Sequence, residues 1–145
     1  MLIGPVDGAN VLDLFAGSGA MGLEALSRGA ERATFVEADR KTAYVIQENL
    51  EKLRLTGARV VNDDVVRALA AEVSAKRKYD LVLVDPPYET YADLQTTLAR
   101  YLPAVLSDTG LIVIETGARD EPELPLSKRT TRKYGNKRLT LFERE

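Results

Sequence analysis

Residues 12–30 read LDLFAGSGAMGLEALSRGA and join an apolar run, a glycine turn and a helical segment without interruption. The apolar run, residues 11–15, is typical of a strand. The turn follows the pattern G-x-G-x-x-G from Gly17 to Gly22, and residues 20–28 carry leucines on one helical face. A strand, a glycine turn and a helix in this order predict a fold that holds a nucleotide-like ligand at the turn.

Apolar runs and helical segments alternate along the rest of the chain. The further strand candidates are residues 33–36, 59–61, 81–84 and 111–114. Two final runs, residues 130–134 and 138–142, flank Gly135-Asn136, a dipeptide that suits a tight hairpin turn. Five β-α units and a C-terminal antiparallel hairpin predict one Rossmann-like α/β domain over residues 1–145. Its sheet is expected to be seven-stranded and mostly parallel, with helices on both faces.

Composition narrows the chemistry that the chain can perform. The 145 residues are 45% apolar and 29% charged, which is ordinary for one globular domain, and they include no cysteine and no histidine. A thiolate metal site, a cysteine nucleophile and a histidine base are therefore excluded, and we expect no metal. No apolar run approaches the roughly 20 residues of a membrane span, so we expect a cytoplasmic protein without a membrane partner. We also expect a monomer.

Acidic residues lie where the first three strand candidates end. Asp13 is on the first strand, Glu37 ends the second, and Asp64 follows the third. Because the carboxyl ends of parallel strands meet at one edge of a sheet, these carboxylates would repel a pyrophosphate there. S-adenosylmethionine carries a sulfonium and an ammonium and no phosphate. We therefore expect this cofactor, with Asp13 toward its ammonium, Glu37 toward its ribose hydroxyls and Asp64 toward its adenine amine.

The same residues leave other interpretations open. The glycine pattern with Glu37 also matches the dinucleotide fingerprint, so a nicotinamide-dependent oxidoreductase is one alternative. It does not account for Asp13 or for the turn at residues 85–88. The glycines alone are also compatible with tight strand–helix packing, and Asp13 alone with a buried carboxylate that accepts hydrogen bonds from loop amides.

The fourth apolar run is followed directly by Asp85-Pro86-Pro87-Tyr88. Proline fixes its own backbone and pushes the preceding residue into an extended conformation, so this turn is stiff. The Asp85 carboxylate and the Pro86 carbonyl are acceptors suited to a planar exocyclic amine, and the Tyr88 ring offers a face for stacking. Such positioning favours methylation of a base amine without a strong general base, on a nucleotide held outside a helical stack. The alternative is a stiff loop with a surface tyrosine.

Together, residues 12–30, VEAD at 36–39 and LVDPPY at 83–88 resemble the class I S-adenosylmethionine-dependent methyltransferases. More narrowly, the chain resembles the RsmD-type family of bacterial 16S ribosomal RNA guanine-N2 methyltransferases, over nearly its whole length. The DPPY element is also shared with DNA enzymes that methylate base amines.

The resemblance implies catalytic roles for Asp85, Pro86 and Tyr88. The cofactor contacts that it implies are Asp13, Phe15, Ala16, Gly17, Ser18, Gly19, Glu37, Asp64 and Asp85. Family members carry an N-terminal segment before the first strand that helps to close the cofactor pocket and to hold RNA, and this chain begins only ten residues before Val11. From that difference we expect weaker unaided RNA binding.

Positive charge is concentrated at the C-terminus. Residues 127–145 have a balance of +5, whereas the rest of the chain has a balance of −7. The candidate nucleic-acid contacts are Lys128, Arg129, Arg132, Lys133, Lys137 and Arg138. They are expected either to contact phosphates beside the active site or to keep a sheet edge soluble.

The sequence therefore predicts an S-adenosylmethionine-dependent methyltransferase that modifies a guanine N2 of 16S ribosomal RNA, free or in the 30S particle. The alternatives are a DNA methyltransferase that acts on adenine N6 or cytosine N4, the oxidoreductase, and a cofactor-binding domain without catalysis. A C5-cytosine enzyme is excluded because that chemistry uses a cysteine nucleophile.

Overall fold

A computed structural model describes residues 5–87 and 91–145 of the chain. The strands are β1 Asn10–Leu14, β2 Arg32–Val36, β3 Ala58–Val61, β4 Tyr79–Val84, β5 Leu106–Gly117, β6 Ser127–Tyr134 and β7 Lys137–Glu143. The helices are α1 Ala20–Ser27, α2 Arg40–Leu53, α3 Val65–Ser74 and α4 Tyr91–Val105. Each predicted strand is present, which confirms the seven-stranded sheet.

The order of strands in the sheet is β3-β2-β1-β4-β5-β7-β6. The first five strands are parallel, and β7 runs antiparallel to both β5 and β6. The chain proceeds outward from β1 through β2 to β3, and then returns to β4 on the other side of β1. This reversal opens a crevice outside the carboxyl ends of β1 and β4, where doubly wound sheets bind ligands.

Apolar side chains on the two faces of the sheet form two cores. Helices α1 and α2 cover one face, where Leu26 and Ile46 pack against Phe35 and Leu83. Helices α3 and α4 cover the other face through side chains such as Leu69 and Leu98. Burial on both faces explains the continuous apolar runs of the central strands and confirms the predicted helices on both sides.

The third glycine of the motif sets how closely α1 approaches the sheet. A Cβ at Gly22 would lie 2.3 Å from Cε1 of Phe35, a distance that no real Cβ tolerates. Gly19 caps the start of α1 in the left-handed conformation, with φ of 84°. Tight strand–helix packing is therefore one role of this motif, and it fixes the position of the turn above the crevice.

The predicted fifth β-α unit is wrong. Among the described residues no helix follows β5, and the segment between β5 and β6 carries Pro122 and Pro125, which disfavour regular hydrogen-bonded structure. The chain instead returns as the β6–β7 hairpin. Its two-residue turn has Gly135 at φ of 59°, as predicted for Gly135-Asn136. No helix in residues 5–87 or 91–145 has the length and apolar character needed to cross a bilayer.

Candidate active site

A cleft of about 890 Å³ lies at the carboxyl edge of the sheet, at the crevice that the strand order creates. Its size falls in the range of sites for cofactors and small ligands. The lining residues come from the ends of five strands and the starts of two helices. They are Phe15, Glu37, Ala38, Asp64, Val65, Asp85, Pro86, Pro87, Asp93, Leu94, Glu115 and Lys137.

Glu37 connects the glycine turn to the end of β2. Its Oε1 accepts a hydrogen bond from the Gly17 N–H at 2.9 Å, and its Oε2 accepts one from the Asp39 N–H at 2.9 Å. Each carboxylate oxygen has a second lone pair, so the side chain can still accept hydroxyl donors from a ligand in the cleft. Glu37 lines the cleft, and its ribose-binding role stays a prediction.

The glycine turn leaves its amide donors engaged within the protein. The Gly19 N–H donates to the Ala16 carbonyl at 2.8 Å, and the Gly22 N–H donates to Oδ2 of Asp13 at 3.1 Å. Because the Gly17 N–H is held by Glu37, all three glycine amides of the motif have internal acceptors. A pyrophosphate that needs such amides would find carboxylates in their place, which argues against a dinucleotide site.

Gly17 exposes backbone where a ligand can approach. It has φ of 59°, and a Cβ at this position would meet no atom within 4 Å. Phe15 lines the cleft, also with φ of 59°, a strained value for a bulky side chain. The neighbouring residues hold the turn in place, since the Ala16 N–H donates to the Val36 carbonyl and the Ser18 carbonyl accepts from Nδ2 of Asn49.

Asp13 is buried beneath the turn and does not line the cleft, with only 4% of the residue exposed. This placement matches the alternative in which the carboxylate accepts a hydrogen bond from a loop amide. Burial raises the pKa of Asp13 to about 7, and the negative charges of Asp85 and Glu37 add to the rise. The Gly22 N–H acts in the opposite direction without cancelling it. Asp13 thus adds a titratable negative charge under the cleft.

The turn after β4 places Asp85, Pro86 and Pro87 together in the lining. Pro86 is buried and Pro87 is exposed, and Tyr88 lies outside the described residues. Partial burial raises the pKa of Asp85 to about 6, helped by a hydrogen bond to Glu115 and by that group's charge, while Lys137 acts to lower it. Asp85 is therefore largely ionised near neutral pH and available as an acceptor.

Asp64 begins α3 and lies at the rim of the same cleft. Its Oδ2 accepts a hydrogen bond from the Arg67 N–H at 3.2 Å, which caps the helix. The side chain therefore has a structural task as well as a position near the ligand space. Sequence and structure agree on its location at the third strand end.

Two acidic lining residues, Asp93 and Glu115, are absent from the predicted site. Asp93 is in the first turn of α4, where an acidic residue is explained by the helix dipole alone. Glu115 follows the apolar run LIVI of β5, which is the same strand-end signal that identified Asp85. That signal could have found Glu115.

The six basic candidates do not form one strip. Arg138 is buried: its guanidinium donates to the Ala118 carbonyl at 3.1 and 3.2 Å and to Oγ1 of Thr131 at 2.9 Å, and it pairs with Glu121. Lys128 pairs with Glu121 at 2.6 Å and with Glu123 at 2.8 Å. Both expected phosphate contacts are therefore engaged in holding the hairpin.

The other four basic residues divide between the two edges of the sheet. Arg129 lines a separate pocket at the amino edge with Gly8 and Leu111. Lys137 faces the cleft, while Arg132 and Lys133 are exposed near the carboxyl end of β6. The register places Arg132 in one row with Leu139 and Glu115. Of the six candidates, Lys137 lines the cleft, and Arg132 and Lys133 lie toward the same edge of the sheet.

The charges of the lining define what the cleft can hold. It carries five carboxylates, from Glu37, Asp64, Asp85, Asp93 and Glu115, against the single ammonium of Lys137. This set of carboxylate acceptors suits a cationic ligand with hydroxyl and amino donors and disfavours phosphates. Within the part of the chain that the structure describes, no three acidic side chains are grouped as metal ligands.

Comparison with known proteins agrees with this geometry. The family described as conserved hypothetical protein 95 matches residues 1–143. The chain is similar to YlbH of Bacillus subtilis (strain 168), with 41% identity over 128 residues, or 86% of this chain and 67% of YlbH. It is also similar to ribosomal RNA small subunit methyltransferase D of Escherichia coli (strain K12), with 40% identity over 108 residues, or 74% of this chain and 53% of that protein.

A solved structure extends the similarity to the fold. The Escherichia coli protein yhhF superposes with a TM-score of 0.86 at 35% identity, over 97% of this chain and 79% of that chain. This likeness confirms the Rossmann-like architecture. The matched region spans about half the length of methyltransferase D.

Replacing Asp13 with asparagine should change how stability depends on pH. Because the folded-state pKa is about 7 and the unfolded value is 3.8, the folded state binds the proton more tightly, and stability falls as pH rises through this interval. Between pH 5 and pH 8 the free energy of unfolding of the native protein should fall by roughly 2–3 kcal/mol more than that of Asp13→Asn. Urea unfolding at pH 5 and pH 8 measures the free energy of unfolding of both proteins. An equal decrease in the two proteins would contradict the raised pKa of Asp13.

Proposed function

The chain belongs to the RsmD-type methyltransferase family, described as conserved hypothetical protein 95, and from this premise we propose that it methylates a guanine N2 in 16S ribosomal RNA. The cofactor is S-adenosylmethionine. The substrate is the free RNA or the 30S particle. A cytoplasmic location and a monomeric state stay predictions from the sequence.

One observation carries the proposal: an acid-lined cleft at the strand-order reversal is bordered by the stiff turn Asp85-Pro86-Pro87. Glu37 and Asp64 line this cleft and are proposed to accept hydrogen bonds from the ribose hydroxyls and the adenine amine of the cofactor, and Asp13 lies beneath with its titratable charge. The internal hydrogen bonds of the glycine amides favour this cofactor over a dinucleotide.

The reaction needs an amine whose lone pair faces the methyl group. When bound, S-adenosylmethionine would supply that methyl group as an electrophile, its S–CH3 bond would break as the N–CH3 bond forms, and S-adenosylhomocysteine would leave. Asp85 accepts a hydrogen bond from the base amine and holds it, and the Pro86 carbonyl is the second acceptor. After transfer the nitrogen carries a positive charge and loses one proton, which the Asp85 carboxylate accepts. Tyr88 is proposed to stack on the base.

Incubation with tritiated S-adenosylmethionine tests this function directly. The substrates are 30S particles, free 16S RNA and duplex DNA, each followed by nucleoside analysis. We expect label in N2-methylguanosine from the ribosomal substrates. Label in N6-methyladenine or N4-methylcytosine from DNA would replace the proposal with the DNA alternative. Binding of S-adenosylhomocysteine without any transfer would leave a binding domain.

Asp85→Ala belongs in the same assay, with Asp108→Ala as its matched control. Asp85 lies in the cleft, whereas Asp108 is an exposed carboxylate at the amino end of β5. Asp85→Ala should lower transfer by about 10²–10³-fold with the cofactor still bound, and Asp108→Ala should match the native protein. Equal rates of methyl transfer in the two variants would show that Asp85 takes no part in the reaction.

Gly17→Ala tests the proposed approach of the cofactor to the glycine turn, and Gly135→Ala is a matched control. Both glycines have φ of 59°, and a Cβ at either would meet no protein atom within 4 Å, so both variants carry the same backbone strain, about 1–2 kcal/mol. Only Gly17→Ala should weaken binding of S-adenosylhomocysteine by calorimetry, by about tenfold. Equal affinities would contradict a cofactor at this turn.

The proposed RNA surface consists of Arg132, Lys133 and Lys137, the basic residues near the cleft. Arg132→Gln and Arg129→Gln remove the same charge from the same strand at opposite edges of the sheet. If Arg132 contacts phosphate, its removal should reduce the slope of log affinity for 16S RNA against log salt by about 1. Arg129→Gln should leave the slope unchanged. A reduced slope in Arg129→Gln and an unchanged slope in Arg132→Gln would indicate that RNA binds at the amino edge of the sheet instead.

A further inference from the structure

The acceptor side of the cleft contains a row of polar groups on three neighbouring strands. The pairing of Leu83 with Val113 and of Val84 with Ile114 makes Asp85 and Glu115 the next pair along β4 and β5. The negative charge of Glu115 acts on Asp85 and helps to raise its pKa. Side chains directly opposite on one face are neighbours, so Glu115 lies beside the group that holds the amine.

Glu115 is held in this place from the hairpin side. The Tyr134 hydroxyl donates a hydrogen bond to its Oε1. Tyr134 is opposite Lys137, and Lys137 is opposite Gly117, two residues beyond Glu115. Lys137 lines the cleft, and its positive charge acts on Asp85. Two carboxylates and one ammonium therefore follow one another across β4, β5 and β7.

This order matches one nucleobase. The Watson–Crick edge of guanine presents the N2 amine as a donor, the N1–H as a second donor and O6 as an acceptor. Adenine presents an amine and then the acceptor N1, and cytosine presents an amine and then the acceptor N3. A carboxylate opposite either ring acceptor would place two acceptors against each other, which is unfavourable in a partly buried site.

Resting on the proposed function, we infer that Glu115 and Lys137 select guanine as the target base. Glu115 accepts a hydrogen bond from N1–H, and Lys137 donates one to O6, while Asp85 holds N2. Glu115 is thereby a specificity-determining residue. The DPPY element supplies the amine acceptors that DNA adenine enzymes share, and the base identity is read by the neighbouring strands.

Short RNAs separate base reading from methyl transfer. The probes are labelled uridine hexamers with one central guanosine, inosine or adenosine, titrated by fluorescence anisotropy into protein saturated with S-adenosylhomocysteine. Inosine keeps N1–H and O6 and lacks the amine. The native protein should bind the guanosine and inosine hexamers about 10- to 100-fold more tightly than the adenosine hexamer. Equal binding of the three hexamers would overturn the inference.

Glu115→Gln should reduce this preference to within about threefold, because the amide no longer repels a ring acceptor. Lys137→Met should reduce it by a smaller factor, because the thioether donates nothing to O6 while Glu115 still repels a ring acceptor. Asp108→Asn, the same kind of change at the amino end of β5, should keep the native preference. Affinity for S-adenosylhomocysteine and the thermal unfolding midpoint show whether each variant stays folded. A preference that survives in folded Glu115→Gln would remove Glu115 from base selection.

Transfer to 30S particles is measured on the same proteins. Loss of N2-methylguanosine in Glu115→Gln, by about 10- to 100-fold in kcat/KM, agrees with the inference. Native protein that discriminates the hexamers but methylates another position would overturn the proposed reaction and leave the base reading in place. Native protein that forms N2-methylguanosine without discriminating the hexamers would overturn the base reading alone.

Discussion

Like-charged carboxyl groups from neighbouring strands lie close together at one edge of this sheet, and most of the site's properties follow from their proximity. The negative charges of Asp85 and Glu37 help to raise the pKa of Asp13, and the charge of Glu115 helps to raise the pKa of Asp85. Parallel strands bring these residues together because their carboxyl ends share an edge. Burial is the main cause of the raised pKa values of Asp13 and Asp85, and repulsion between the neighbouring carboxylates adds to the rise. A bound cation would relieve that repulsion, so the proximity of these carboxylates also favours a positively charged ligand in the cleft.

The glycine motif shows how this charge selects a ligand. The same spacing of glycines serves dinucleotide sites, where free amides contact a pyrophosphate. Here the Gly17 and Gly22 amides donate to Glu37 and Asp13. These hydrogen bonds hold negative charge at the start of α1, where a phosphate would otherwise bind, and they tie the turn to β1 and β2. The turn is therefore complete without a phosphate, and its remaining open face is the space above Gly17.

The sequence predicts the strand ends and the hairpin turn well, and the surroundings of the hairpin's basic side chains poorly, for a physical reason. An apolar run followed by an acidic residue identifies Glu37 and Asp85, since a buried parallel strand and its exposed end differ sharply in polarity. Arg138 carries no such signal. Its burial depends on the loop after β5, whose Ala118 carbonyl and Glu121 carboxylate surround the guanidinium. Likewise the separation of Arg129 from the cleft is set by strand direction, because β6 begins at the amino edge and ends beside the cleft. Composition reports how many charges there are, and topology decides where they lie.

The order of the strands also separates the residues proposed to contact the cofactor from those proposed to contact the base. Residues proposed to contact the cofactor come from β1, β2 and the start of α3, on one side of β4. Residues proposed to read the base come from β5 and β7, on its other side. Asp85 follows β4, between the two groups, so the amine it holds lies where the two ligands meet. The antiparallel hairpin then belongs to the proposed base-reading arrangement, because it carries Lys137 to the cleft and holds Glu115 through Tyr134. An open parallel sheet that ended at β5 would keep the proposed cofactor side and Glu115, and would lack Lys137 and the Tyr134 hydrogen bond that holds Glu115.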